Sequence, residues 1–388
     1  MFNIVWWVMI KSHYANVIPL QMSVIPLGLG FYTLRTIGYL IDVYCYRQNR
    51  PYSFIDYFLY VGFFAHLQAG PVTSWKWFAA AIDAIKHRTL KSDWTVGYYL
   101  FAMGLFRKLL ADLIAVGVDP ALDNVDGLGF VDSWLLLVSY SLQIYFDFSG
   151  YTDMAIGSGM LVGIRLPPNF DAPYSKRNPV EFWNAWHITF SHWLRDFIFM
   201  PLGRILFSIR QLKRTPLVIA GICYLTTFCV CGLWHGFEVT YLFWGIYHGV
   251  GLIAFKIYDG LSRKHFSLSY HSFMRNSPSG QRLAVTSTFV FVSFGWVFFR
   301  SSSMNQAIAW IRGLAGQNGF SIEDANSYLI QILIAILVMR LFYYRTNWQP
   351  ETLQYWQKLV LNSALWVILF YYFVSDSIKA APFIYNIF

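Results

Sequence analysis

The chain has 388 residues, 56% of them hydrophobic and only 13% charged, against about 25% charged in soluble domains. Aromatic residues reach 20%, and such rings suit the membrane–water interface as well as helix packing in lipid. The formal charge of +9 lies in short segments between apolar stretches, for example Arg204, Arg210, Lys213 and Arg214, which argues against a nucleic-acid footprint and fits the basic loops of a polytopic membrane protein.

A membrane span needs about 20 largely apolar residues. In chain order such stretches are predicted at 15–34, 55–70, 97–118, 133–164, 215–233, 239–257, 282–300, 327–344 and 359–375. The expected fold is all-α, with about eight to eleven transmembrane or re-entrant helices. Met1–Ile10 is too short and wrongly arranged for a cleaved signal peptide, so the first membrane segments are expected to direct insertion. Ala69-Gly70-Pro71 ends one stretch abruptly and reads as a re-entrant turn. No internal repeat is evident, which gives no support to a pseudo-symmetric transporter, and residues 1–388 read as one integral-membrane domain.

Within the 133–164 stretch lie Asp147 and Asp153. Carboxylates at membrane depth are costly and line polar cavities or pair with a base; the plain structural alternative is helix capping, or a pair with Arg165 or Arg195. The segment 167–203 then breaks the apolar pattern. Asn178-Pro179-Val180-Glu181 is a helix start: Asn178 caps, Pro179 fits the first turn, and Glu181 reaches back. In the helix expected to follow, Trp183, His187, Phe190 and Leu194 share one face. His192 falls on the other side, with Ile188, Arg195 and Asp196. Lys176, Arg177 and Arg195 are candidates to face the phosphates of a carrier cofactor, although a basic loop explains Lys176 and Arg177 equally well.

The most informative residue is His235, in Gly232-Leu233-Trp234-His235-Gly236, a five-residue interruption between two apolar stretches. No Asp, Glu, Lys or Arg occurs from Thr215 to Phe237, and after Glu238 none recurs until Lys256. An ionisable imidazole where a membrane helix turns back is a functional candidate by default, and histidine accepts and returns protons near neutral pH. The basic flanks 203–215 and 256–282 read as cytoplasmic, which points the His235 turn to the opposite side. Cys231 and His235 stand at i, i+4, yet Cys229 lies only two residues from Cys231. A helical site wants at least three ligands on one face, so no metal is expected. The cysteines (Cys45, Cys223, Cys229, Cys231) show no disulfide framework. His248 reads as a packing residue of the neighbouring helix.

The ordered blocks Tyr145-Phe146-Asp147-Phe148-Ser149-Gly150-Tyr151-Thr152-Asp153, Pro167-Pro168-Asn169-Phe170, Glu181-Phe182-Trp183-Asn184-Ala185-Trp186-His187, Trp193-Leu194-Arg195-Asp196-Phe197 and Gly232-Leu233-Trp234-His235-Gly236 together strongly resemble the membrane-bound O-acyltransferase family. Pro26-Leu27-Gly28, Ala69-Gly70-Pro71 and Trp296-Val297-Phe298-Phe299-Arg300 resemble its bacterial branch. That branch contains the alginate O-acetylation membrane protein and the D-alanyl transfer protein of teichoic acids. The resemblance covers about residues 20–315. Members usually carry further membrane helices before the Pro-Leu-Gly motif, which here starts at Pro26; the resemblance implies a short form or a truncated start.

The resemblance carries the family's essential histidine to His235 and a second functional histidine to His187. It implies a bacterial inner-membrane enzyme with no tightly bound cofactor, whose acyl donor is a cytoplasmic thioester (acetyl-CoA or an acyl carrier protein). The acceptor is a hydroxyl of an extracytoplasmic polysaccharide, reached directly, through an extracytoplasmic acyltransferase partner, or through a small membrane intermediary. His235 would act as general base, with a covalent acyl-histidine as the alternative; Trp234, Asn184 or amides near Gly236 are oxyanion-donor candidates. Acetyl is the first expectation on the alginate-like features, D-alanyl the alternative. A non-catalytic subunit or transporter of a polymer-export complex is the reading of another class.

Overall fold

The computed structural model describes residues 28–46, 53–87 and 94–320, with Tyr328, Leu329, Ile332 and Leu333 beyond them. Among the described residues the structure is helical, with no strand and one isolated bridge between Phe170 and Trp186. The stretch predicted at 359–375, and most of 327–344 and of 15–34, lie outside the described residues. The described residues within Met1–Asp123, Val138–Asn169 and Glu323–Phe388 form one unit, and those within Asn124–Leu137 and Phe170–Ile322 the other.

In the first unit α1 spans Leu29–Tyr46, and the stretch predicted at 55–70 divides into α2 (Phe54–Gly62) and α3 (Phe64–Leu67). Ser53 starts α2 with a reciprocal box, its hydroxyl accepting from the Asp56 N–H while the Asp56 carboxylate accepts from the Ser53 N–H. The break at Phe63 frees backbone carbonyls, which cannot be left buried without donors. Arg35, wholly buried on α1, supplies them: Nη1 donates to His66 O at 2.7 Å and Nη2 to Val61 O at 3.3 Å. The Tyr60 hydroxyl donates to Thr73 O at 2.7 Å and ties down the loop carrying Ala69-Gly70-Pro71. Next comes α4 (Trp75–Lys86), which the hydropathy reading missed and which starts on the Ser74 hydroxyl.

Two long helices follow, α5 (Trp94–Asp123) and α6 (Phe130–Leu161). They match the stretches predicted at 97–118 and 133–164, α5 being longer at both ends and α6 beginning and ending three residues earlier. Between them Gly104 faces Gly150, and a Cβ on either would stand 2.5 or 2.7 Å from the other's carbonyl oxygen. The backbones can approach this closely only because both side chains are missing, a seam used between membrane helices.

In the second unit, short helices α7 (Pro179–Trp183), α8 (Ile188–Leu194) and α9 (Met200–Ser208) precede α10 (Pro216–His235) and α11 (Val239–His265). Then come α12 (Leu268–Asn276), α13 (Pro278–Arg300) and α14 (Met304–Leu314). Pro216 and Pro278 occupy first-turn positions, where a missing N–H costs nothing. Among the described residues α10 and α13, of 20 and 23 residues, are long and apolar enough to cross a membrane. At 1.5 Å per residue α10 measures about 30 Å, one hydrocarbon thickness. It packs antiparallel on α11, where a Cβ at Gly245 would overlap the carbonyl of Phe228. Trp310 of α14 donates to Ser133 O at 3.3 Å, fastening the beginning of α6 within this unit.

Candidate active site

The helix expected to run on from Pro179 is broken, and that break makes the site. The Asn178 side chain accepts from the Glu181 N–H at 2.8 Å as expected, but the Glu181 carboxylate accepts from the Arg177 N–H at 3.0 Å instead of from the cap itself. After Trp183 the chain leaves helical geometry, and His187 adopts φ 45°, ψ 51° ahead of α8. Left-handed backbone costs a non-glycine residue roughly 1–2 kcal/mol, and such strain persists only where the surroundings over-determine it. The surroundings here are aromatic. Trp186 is buried against Phe170 (ring centroids 5.1 Å), Phe182 (5.7 Å) and Trp296 (5.1 Å). The Trp296 indole donates to the Tyr174 hydroxyl at 3.1 Å. With Trp186 anchored, the next residue is turned inward. The shared helical face of Trp183, His187, Phe190 and Leu194 therefore does not exist as one face; His187 reaches the interior through a turn.

His187 is 2% exposed and its ring lies 5.0 Å from that of Phe190. Burial pulls its imidazole down to about 3, so the ring is neutral. His192, as expected of a polar-face residue, is exposed.

His235 is 3% exposed and is the last residue of α10. The interruption predicted at Gly232–Gly236 is shorter than expected, because the helix runs on through His235 and only Gly236, Phe237 and Glu238 turn before α11. The imidazole sits among Trp234 (4.8 Å, 72°), Trp244 (5.3 Å, 88°) and Phe299 (5.0 Å, 79°). Phe190 is the common neighbour of the two histidines: its ring is 5.0 Å from His187, 4.5 Å from Trp234 and 6.4 Å from His235. Helix-terminal carbonyls and aromatic faces both accommodate the positive charge that an imidazole gains while it holds a proton. The arrangement suits a histidine that takes up and returns a proton in a water-poor setting.

The remaining candidates are placed as follows. Lys176 pairs with Asp171 at 2.7 Å, Arg177 with Glu181 at 3.5 Å, and Arg195 with Asp196 at 2.8 Å. Each cation thus has a carboxylate within five residues, and Arg195 stands on a wide π-type turn, Arg195–Phe199. Asn184 is exposed at the break after α7.

Asp147 and Asp153 belong to the first unit, and both take cations of α5 as partners. Asp147 pairs with Lys108 at 2.9 Å; Lys108 also pairs with Asp112, and Asp153 pairs with Arg107. The cations sit on α5 and the carboxylates of Asp147 and Asp153 on α6. Lys108 and Arg107 escaped the sequence reading, although they stand side by side within a mostly apolar stretch. Trp244 and Phe190 also escaped as site residues, because their role is set by ring contacts that span the chain.

The chain belongs to the membrane-bound O-acyltransferase family, whose profile matches residues 45–284. It is similar to the peptidoglycan O-acetyltransferase of Helicobacter pylori, 33% identical over 362 residues, covering 85% of this chain and 64% of that protein. It is similar also to the "Probable alginate O-acetylase AlgI" of Pseudomonas syringae, 36% identical over 321 residues, covering 81% and 57%. The teichoic acid D-alanyltransferase of Bacillus subtilis is 25% identical over 279 residues, covering 70% and 68%. The chain spans less than two thirds of the length of the first two relatives.

Proposed function

We propose that this chain is a multi-pass O-acyltransferase of the bacterial inner membrane that transfers an acetyl group from a cytoplasmic thioester to an extracytoplasmic hydroxyl. The observation that carries the reading is His235, buried at the end of the apolar helix α10 and sharing Phe190 with a second buried imidazole, His187. In the transfer, His235 takes the proton of the acceptor hydroxyl as its oxygen attacks the thioester carbonyl. The C–O bond forms, the C–S bond breaks, and the proton passes from the imidazolium to the departing thiolate. A general base so placed contributes about 10²–10⁴-fold. His187 orients the acceptor or donates to the developing oxyanion, and the cations Lys176, Arg177 and Arg195 meet the donor's phosphates by exchanging their carboxylate partners.

The acceptor is a cell-surface or secreted polysaccharide, reached directly, through an extracytoplasmic transferase partner, or through a small membrane intermediary. Acetyl is favoured over D-alanyl because the relatives named for acetylation are 33% and 36% identical and the one named for D-alanyl transfer 25%. The test compares the chain with its His235→Ala variant in cells that make the polymer. At equal membrane abundance the variant is expected to leave the polymer without added ester. Equal ester content from both proteins overturns the reading.

A further inference from the structure

His248 lies on α11 one turn beyond Trp244 and is wholly buried, and among the described residues neither ring nitrogen has a hydrogen-bond partner. Its neighbours are rings: Trp183 at 5.0 Å and 88°, Trp244 at 5.1 Å and 70°, Phe291 at 5.5 Å and 88°, and Tyr247 at 5.4 Å and 81°. On the remaining side α13 closes over the imidazole, since a Cβ at Gly295 would stand 2.6 Å from Nε2. A phenyl ring would fill this place without stranding a polar group, and a buried donor or acceptor left without a partner costs about 1–3 kcal/mol. An imidazole there works against stability, and breaches of local rules of this kind collect at functional sites.

Trp244 supplies the connection. Its ring is 5.1 Å from His248 on one side and 5.3 Å from His235 on the other, perpendicular to the latter at 88°. A single indole therefore separates the two imidazoles. We propose that His248 is a positioning residue for acyl transfer: it fixes the plane of Trp244, and Trp244 fixes the imidazole of His235. The perpendicular ring contacts are the geometry in which an N–H can meet an aromatic face. Such a contact holds a ring in one orientation, where a phenyl would let its neighbours settle by shape alone. The inference rests on the transferase reading of His235, because orientation matters only if His235 must meet a reacting hydroxyl. Misplacement by about 1 Å can cost on the order of 100-fold in rate.

The test uses the full chain in polymer-making cells, with the initial rate of ester formation taken per membrane-inserted protein. The variants are His248→Phe, His248→Gln, Trp244→Phe, the double variant His248→Phe with Trp244→Phe, and His235→Ala. The expected result is that His248→Phe melts no lower than the parent yet transfers about 10–100-fold more slowly. His248→Gln, which keeps an N–H in similar volume, should recover most of that rate. The double variant should lose no more than Trp244→Phe alone, because both changes act through one ring. The inference is overturned if His248→Phe transfers at the parental rate, if Phe and Gln are equally slow, or if the losses add. Should His248→Phe fail to insert, His248→Gln and Trp244→Phe carry the same comparison. Transfer by His235→Ala at the parental rate overturns the transferase reading itself and the positioning role with it. Loss in His235→Ala with parental rates in the His248 variants overturns the positioning role alone.

Discussion

The α5–α6 pair and the α10–α11 pair are both antiparallel and both closed by glycine, Gly104 on Gly150 in one and Gly245 on the Phe228 backbone in the other. They treat buried polarity in opposite ways. Across α5–α6 the carboxylates of Asp112, Asp147 and Asp153 are met by Lys108 and Arg107 in close ion pairs. Around α10–α11 the buried imidazoles of His235 and His248 have Trp244, Phe299, Phe291 and Trp183 among their neighbours. A permanent charge in a poor solvent must be neutralised where it stands. An imidazole can be neutral at rest and become charged only in passing, so aromatic neighbours are compatible with it. The ionic seam therefore holds standing charges, whereas the aromatic seat of His235 suits a group that is neutral at rest.

The sharpest way to break this comparison is to remove the cation that serves two carboxylates. Lys108→Met leaves Asp112 and Asp147, whose side chains are 3% and 2% exposed, without the ammonium between them. Losing one partner of a buried pair costs about 3–5 kcal/mol, so the full chain should melt well below the parent in fluorescence-detected gel filtration. Adding Asp112→Asn and Asp147→Asn should recover most of the loss. In contrast, His235→Leu, which replaces an imidazole by an apolar side chain, should melt close to the parent. A Lys108→Met chain as stable as the parent would show that the seam is solvated, and the contrast between the two pairs would vanish.

A change of intermediate size separates the strain at His187 from its chemistry. His187→Gly removes the cost of a left-handed residue while deleting the ring; His187→Ala deletes the ring and keeps the cost. The glycine variant should be the more stable by about 1 kcal/mol, read as the higher melting temperature. Both should lose ester formation if the imidazole itself is needed. Recovery of transfer in His187→Gly alone would make the turn the functional element, and the second histidine incidental.

Much of this arrangement is legible in the sequence. His235 stands out because Glu238 is the one Asp, Glu, Lys or Arg from Thr215 to Phe255, and the long helices α5, α6, α10, α11 and α13 follow from long, mostly apolar stretches. The break at Asn184–His187 was not legible, because periodicity continues across it without a Gly or Pro to mark it. It is imposed by Trp186, whose partners Phe170, Phe182 and Trp296 come from three separate segments. Asp147 and Asp153 announced a buried charge, but their partners follow only from the register of α5 on α6, which no local pattern encodes. The same holds for the seat of His235: the Trp-His-Gly block names the histidine, whereas Trp244 and Phe299 reach it by folding.

The smallest effect tests whether the site is held from the wall or from the start of α7. Asn178 accepts the Glu181 N–H at 2.8 Å, and replacing such a cap by Ala costs about 1 kcal/mol. That loss loosens Pro179–Trp183, but Trp186 keeps its ring contacts with Phe170 and Trp296, and His187 follows Trp186. Asn178→Ala should therefore lower the melting temperature slightly and leave ester formation per inserted protein unchanged. Asn178→Gly, which preserves the cap conformation, should cost only a few tenths of that energy. If Asn178→Ala instead slows transfer as severely as loss of the His187 ring, the cap and not the aromatic wall sets the geometry of the turn. The two helix pairs would then differ in their charges and no longer in what holds them.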